Sequence, residues 1–344
     1  MSRPSDEPQV SVIVPTHQRC ATLRRALVAL SHQTVPAEAF EVIVAVDGST
    51  DGTVEMLAVF EAPFSLRIVV GPQRGRAAAR NAALEESRGE ILILIDDDMQ
   101  VVPQFVERHR AHHPDGSRFC VLGAVPIKVN GESSRAARYA QAKFDDHLQR
   151  LGDPEHLELP RSFYSGNTSL RAAVLREVGG FDESFTAYGN EDVELSLRLR
   201  AAGVSLRYDP DALAHQEYGK DLKALLDDAF GMGFTETLLA RKHPDVFAES
   251  RLATPNDHSR PWLATRAILL GMARRWPRSR SLVFAFGEVL ERLGLWRQPL
   301  FYRALRDYAF WAGVDAEIGD RDSGELKRLA TELDRGPIDL LLHR

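Results

Sequence analysis

The run Ile91-Leu92-Ile93-Leu94-Ile95, followed at once by Asp96-Asp97-Asp98, constrains this chain more than any other stretch. Five consecutive aliphatic side chains have no polar face. A strand made of them must be covered on both sides, as in the parallel sheet of an α/β protein. The three carboxylates then emerge at the C-terminal edge of that sheet, where open α/β sheets bind their ligands. Adjacent anions repel one another unless they share a cation. Oxygen-only donors suit a hard divalent ion such as Mn²⁺ or Mg²⁺, and such ions commonly bridge phosphates. Taken alone, the triplet is better read as a solvated acidic turn; its neighbours in the sequence change that.

Apolar runs and helical periodicity alternate from residue 9 onward. Residues 9–14 form a first strand ending at Pro15, and 19–33 has helical spacing of Leu23, Ala26, Leu27 and Leu30. A second strand over 41–46 ends in the turn cluster Asp47-Gly48-Ser49-Thr50-Asp51-Gly52, and a helix is expected from Thr53 to about Phe60. The third strand covers 66–70, the alanine-rich stretch 76–86 is helical by propensity, and 91–95 is the fourth strand. Such alternation predicts a doubly wound, mainly parallel sheet with its polar turns gathered on one edge. A strand over 119–129, a helix over 134–151 and a loop over 152–160 follow with less regularity. After Lys220 the strand signals vanish and helical periodicity takes over. The expected organisation is therefore a flexible tail over 1–8, a nucleotide-binding and catalytic domain over 9–220, and a helical region over 221–344.

Composition excludes several classes. A net charge of −6 gives no general reason to expect nucleic-acid binding. Two cysteines, Cys20 and Cys120, allow no disulfide framework and no cysteine-rich metal site, so a reducing, cytoplasmic setting is the simpler reading. The polar N-terminus lacks the apolar core of a signal peptide, and no apolar run reaches the length of a membrane span. The last third differs from the rest. It holds all four tryptophans (Trp262, Trp276, Trp296, Trp311), and residues 261–310 carry nine arginines against three acids. Tryptophan and arginine on amphipathic helices suit an anionic membrane surface; packing or an oligomer contact accounts for them equally. The first reading would put the protein peripherally on the inner face of the membrane, attached through 261–311.

Set in order, the segments SVIVPTHQR (11–19), VDGSTDGT (46–53), GRAAARNAAL (75–84), ILILIDDD (91–98), SGNTSLR (165–171), VGGFDESF (178–185) and NEDVELSLRLRAAG (190–203) resemble the family 2 glycosyltransferases. These have a GT-A fold, with DxD and ED motifs. Each segment alone is weak; together, in this order and spacing, they are highly specific. The resemblance implies an inverting, metal-dependent enzyme moving a sugar from a nucleotide-diphosphate sugar, UDP above all, to a hydroxyl acceptor. That acceptor would be a glycan, a lipid-linked glycan or a small molecule. It also implies roles for individual residues. Pro15 and Thr16 would contact the base, Arg19 the diphosphate, and Asp47 the base or ribose. Gly75, Arg76, Arg80 and Asn81 would close over the nucleotide, although Arg80 is equally readable as a structural ion-pair partner. Asp96 or Asp97 would touch ribose, and Asp98, with His215, would hold Mn²⁺ or Mg²⁺. Asp192 would be the general base, Asn167 would lie on the acceptor side, Glu191 would orient the acceptor or hold the loop, and Asp182 would touch the sugar or acceptor or else cap a turn. One local signal conflicts with the family pattern: Val193, Leu195, Leu197 and Leu199 alternate as in a strand, where the resemblance implies a helix. Two alternatives are a sugar nucleotidyltransferase, although PTHQRCATL stands where its glycine-rich loop belongs, and a scaffold that binds nucleotide sugar without turnover.

Overall fold

The computed structural model describes residues 7–129, 133–160, 162–253, 259–276, 278–294 and 299–320. Most of the expected tail, Trp296, and residues 321–344 of the C-terminal region lie outside the described residues. The described parts of 1–132, 140–186 and 191–218 form one compact unit; those of 133–139, 187–190 and 219–344 form a second.

The first unit opens with β1 (Val10–Thr16), α1 (Cys20–Leu30), β2 (Phe40–Asp47), α2 (Thr53–Ala58), β3 (Ser65–Gly71), α3 (Arg76–Glu86) and β4 (Ile91–Ile95). It continues through β5 (Met99–Val101), α4 (Phe105–Ala111), β6 (Phe119–Gly123) and β7 (Ile127–Lys128), then α5 (Arg135–Leu151), whose first residues count with the second unit. β8 (Asn167–Arg171), α6 (Ala172–Glu177), α7 (Glu191–Ala201), β9 (Ser205–Asp209) and β10 (Ala214–Glu217) complete it. Seven strands make the main sheet in the order β3-β2-β1-β4-β8-β6-β9, and β5-β10-β7 make a small second one. β1 to β4 are mutually parallel, and β8 runs antiparallel between β4 and β6. This is an α/β GT-A-type sheet followed by a C-terminal helical region.

Alternation along the strands explains why both faces had to be apolar. Val10, Val12, Val14, Ile91, Ile93 and Ile95 pack on one side against Leu23, Leu27 and Leu30 of α1 and Phe105 of α4. Ile13, Leu92 and Leu94 pack on the other, against Ala83 and Leu84 of α3 and Leu195 and Leu199 of α7. Each fully buried side chain of this kind contributes about 1.5–3 kcal/mol. Pro15 does not end β1, contrary to the pattern's suggestion. The ladder with β4 stops at Ile13–Leu94, so Pro15 has a strand neighbour on one side only, where proline is tolerated.

α7 is a helix, as the resemblance implies, despite its alternating leucines. Leu195, Leu197 and Leu199 are buried, and so are Glu194 and Ser196 between them. Glu194 pairs with Arg198 at 2.6 Å, and the Ser196 hydroxyl donates to the Val193 carbonyl. A helix covered nearly all round has no solvent face to imprint a 3.6-residue period.

The second unit is built on α8 (Leu222–Lys242), α9 (Arg260–Arg275), α10 (Arg278–Arg292) and α11 (Pro299–Asp320). α8 and α11 touch backbone to backbone. A Cβ on Gly233 would lie 1.9 Å from the Phe310 carbonyl oxygen, and one on Gly313 would lie 2.0 Å from that of Phe230. Any side chain there would pry the two helices apart. The surrounding core includes Leu226, Phe284, Tyr308 and Trp311. Among the described residues no helix is long and apolar enough to cross a membrane.

Candidate active site

Three strand ends and their loops are laced together at the C-terminal edge of the parallel strands. After β1, the Thr16 hydroxyl donates to Asp97 at 2.7 Å, and Arg19 reaches Asp97 at 2.8 Å and Asp98 at 2.9 Å. His17 Nδ1 lies 2.6 Å from the Asp47 carbonyl oxygen, and the Gln18 amide donates to Thr50 Oγ1 at 2.9 Å. Gln18 has φ = 54°, a left-handed conformation rare without glycine. Asp47 itself spends both oxygens on the next loop, accepting the backbone N–H of Arg74 at 2.7 Å and of Gly75 at 3.0 Å. Asp47 therefore ties the end of β2 to the loop after β3, whereas Pro15 stays inside β1. Gln18, Ser49, Thr50 and Gln73 join these contacts without having been legible as site residues in the sequence.

Arg80 organises the centre. Its side chain is 1% exposed, stacks on the Phe181 ring, and bridges two distant stretches of chain. Nη2 meets Asp96 at 2.9 Å and Nη1 meets Glu191 at 3.2 Å. Arg76 also approaches Glu191, at 3.5 Å. One guanidinium thus draws the 191–192 pair to the 96–98 triplet. Of the two readings open for Arg80, the structure favours the ion-pair partner. Glu191, expected on the acceptor side, is buried and engaged by arginines, so it holds the cluster together.

Five carboxyls (96, 97, 98, 191, 192) share three guanidiniums (19, 76, 80), and the imbalance shows in their titration. Burial would raise Asp96, but Arg76, Arg80 and Arg19 hold it below the usual carboxylate range. Burial and the adjacent Asp96 push Asp98 up to about 6, against the pull of Arg19. Burial and the neighbouring Glu191 push Asp192 up to about 7, against Arg80 and Arg76. Asp192 keeps part of its surface in solvent at the N-terminus of α7, and its Oδ1 accepts the Val193 N–H at 2.8 Å.

The residues present fit a divalent cation at Asp98. Its desolvated carboxyl lacks a full counter-charge, and β10 lies against it: Gln216 Nε2 is 3.4 Å from both oxygens, and the Glu217 N–H donates to the Asp98 carbonyl oxygen at 2.9 Å. His215, also on β10, has a buried Nδ1 with no hydrogen-bond partner, an orphan of the kind a ligand would relieve. Gln216 rather than His215 is the β10 side chain seen to meet Asp98. Among the described residues no three His, Cys, Asp or Glu side chains form a ready-made metal cage. That suits an ion bound by one or two protein groups plus a phosphate-bearing ligand.

One expectation is corrected, and one is resolved toward the turn reading. Asn167 is fully buried; its Oδ1 lies 2.8 Å from His109 Nε2, and its amide donates to the carbonyls of Ala124 and Ala212 at 3.1 and 2.8 Å. It clamps the sheet and cannot meet an acceptor. Asp182 accepts the backbone N–H and hydroxyl of Ser184 at 3.0 and 2.7 Å, a local turn cap. Asn81 likewise anchors the following turn through both directions of bonding with the Phe181 backbone.

Comparison with known proteins sets the chain among glycosyltransferases. A model of the glycosyl transferase family 2 matches residues 11–179, and one for the N-terminal domain of galactosyltransferase matches 147–217. Validoxylamine A glucosyltransferase of Streptomyces hygroscopicus is 29% identical over 283 residues, 73% of this chain and 65% of that protein. An uncharacterized glycosyltransferase of Bacillus subtilis, YfnE, is 30% identical over 265 residues, 64% of this chain and 67% of its own length. The chain thus spans about two thirds of the length of these relatives. A mannosyltransferase of Pyrobaculum calidifontis, solved with GDP-Man and Mn²⁺, superposes with a TM-score of 0.62 at 22% identity, covering 92% of this chain and 88% of that one. TarS residues 1–349 of S. aureus, with UDP-GlcNAc, gives 0.51 at 18% identity, covering 91% and 92%.

Proposed function

The chain belongs to glycosyl transferase family 2, and from that premise we propose that it moves a sugar from a nucleotide-diphosphate sugar to a hydroxyl acceptor with inversion, assisted by a divalent cation. One observation carries the reading: Arg80 joins Asp96, at the end of the strand expected to meet the donor, to Glu191, whose neighbour Asp192 is the candidate base.

Asp192 is suited to take the proton of the acceptor hydroxyl. A base works best when its proton affinity lies near the operating pH, and a carboxyl at about 7 meets that condition where an ordinary one does not. As the hydroxyl oxygen attacks the anomeric carbon, its proton passes to an Asp192 oxygen and the bond to the diphosphate breaks. A single displacement of this kind inverts the configuration. Arg19 and Arg76, both about two-fifths exposed, would turn from their acids toward the donor's phosphate oxygens. Asp98, with His215 as the candidate second ligand, would hold Mn²⁺ or Mg²⁺, which supplies charge neutralisation to the leaving diphosphate. Thr16 keeps Asp97 oriented beside them.

A relative that transfers glucose and neighbours that bind UDP-GlcNAc and GDP-mannose suggest the donors to try. UDP-glucose, UDP-GlcNAc and GDP-mannose, each with and without Mn²⁺ or Mg²⁺, should be screened for release of nucleoside diphosphate. Metal-dependent release from a UDP-sugar is expected, and Asp98→Asn should abolish it. Full turnover by Asp98→Asn would overturn the metal assignment. Pyrophosphate release from a nucleoside triphosphate and a sugar phosphate would overturn the transfer reaction itself.

A further inference from the structure

Thirteen large hydrophobic side chains stand exposed among the described residues, and eight of them fall between 268 and 300. Scattered exposed leucines need no explanation, whereas this concentration does. α10 carries Leu282, Phe286, Val289 and Leu293 just after its end, 49–65% exposed and spaced four, three and four residues apart. That spacing draws one stripe along the helix, while Phe284 and Gly287 face the interior. α9 exposes Ile268 and Met272, and Trp276, which caps it, is 71% exposed. The other described tryptophans are accounted for inside the unit: Trp311 is buried, and Trp262 donates to Asp307 at 2.8 Å.

Arginine outnumbers acid around the stripes. Residues 260–276 contain no acid; Arg275 and Arg278 are exposed on either side of Trp276, Arg292 is exposed beside Leu293, and Arg274 is paired with Asp315 at 2.5 Å. Of the nearby acids, Glu288 is half-buried next to Val289, and the other two point elsewhere. Glu291 accepts from the Tyr302 hydroxyl at 2.7 Å and from the Ala136 N–H at 3.1 Å, and Asp307 is buried against Arg251 and Arg266.

We propose that α9 and α10 form a docking surface for an anionic lipid bilayer, with the apolar stripe entering the boundary of the acyl layer and the arginines around Trp276 meeting lipid phosphates. Charge decides between occupants. A second copy docked on this face by a two-fold axis would set one arginine-rich surface against another, which repels; an anionic bilayer supplies counter-charge to Arg275, Arg278 and Arg292. Tryptophan at such a boundary keeps its ring in the apolar layer and its N–H in water. The inference does not depend on the transfer reaction.

The full chain should co-sediment with phosphatidylcholine vesicles that contain phosphatidylglycerol, more weakly as salt rises, and on the order of tenfold less with phosphatidylcholine alone. The pair Phe286→Gln, Leu293→Gln should weaken sedimentation by roughly tenfold or more with melting temperature unchanged, because both side chains already face solvent. Trp276→Ser provides a second variant outside the α10 stripe. Three results would overturn the proposal. They are no sedimentation with the anionic vesicles, sedimentation that these variants leave intact, and a dimer in light scattering that Phe286→Gln, Leu293→Gln dissolves.

Discussion

Two polar clusters flank β4, and Asn167 of one pairs in the ladder with Ile95, next to Asp96 of the other. The first is neutral. Ser169 Oγ lies 2.8 Å from His109 Nδ1 and 2.8 Å from His113 Nε2, and His109 Nε2 lies 2.8 Å from Asn167. Burial lowers His109 to about 4 and His113 to about 3, so neither carries charge near neutral pH. The second is built of acids and guanidiniums, and its carboxyls are pulled apart, Asp96 downward and Asp98 and Asp192 upward. Uncharged groups bonded to one another make scaffold, here with His113 Nδ1 left without a partner. Charges that cannot all be satisfied by their neighbours leave attraction for a cation, a phosphate or a proton.

The comparison breaks first at Asp192. If the charged cluster is chemical and not structural, Asp192→Asn should lower kcat by about 10²–10⁴-fold while leaving the melting temperature close to that of the parent. A large loss of stability with modest loss of rate would move Asp192 to the scaffold. Arg80→Met should act differently. It leaves the buried Glu191 without its closest counter-charge, and breaking such a pair costs about 3–5 kcal/mol, measurable by denaturant unfolding. Wild-type stability in that variant would show that Arg80 is not the clamp.

The sequence made the first four strands legible because their side chains alternate between two apolar faces and their turns carry glycine and aspartate. Asp96–Asp98 and Glu191-Asp192 were legible through resemblance more than through spacing. What stayed hidden was set by contacts far apart in sequence. Nothing local distinguishes Asn167 as a clamp from Asn167 as a ligand, since its partners are His109, Ala124 and Ala212. Asp182 is the converse case, because its cap on Ser184 is local and the turn reading was already available. Arg80 shows why a motif arginine is ambiguous: the same guanidinium fork fits a carboxylate and a phosphate. β5, α4 and α6 were missed as short elements whose patterns are too brief for a period to register.

The neutral cluster supplies a smaller test. Ser169→Ala removes the hydroxyl shared by two buried imidazoles and should cost about 1–3 kcal/mol of stability with kcat unchanged once folded. Acid should find the same weak point. Unfolded histidines titrate near 6.5, whereas His109 and His113 stay neutral in the fold down to about 4 and 3. The unfolded chain therefore binds more protons in that interval, and stability should fall as pH drops from about 6.5 toward 4. A melting temperature flat across that range would remove the histidines from the account.

The finest prediction couples pH to Arg80. A base must be ionised to accept a proton, so with Asp192 at about 7 the rate should rise roughly tenfold per pH unit below that value and level off above it. Burial and the Glu191 charge raise Asp192, while Arg80 and Arg76 restrain it. Arg80→Lys, which keeps the positive charge but not the two-handed geometry, should leave the midpoint near its parent value and lower the plateau. Arg80→Met, assayed where it remains folded, should move the midpoint upward, because one restraint is gone and the ionised carboxylate is harder to form. A midpoint that stays fixed in both variants, measured on the same donor and metal, would mean that the group controlling the rate does not feel Arg80. The proton would then be leaving through some residue other than Asp192.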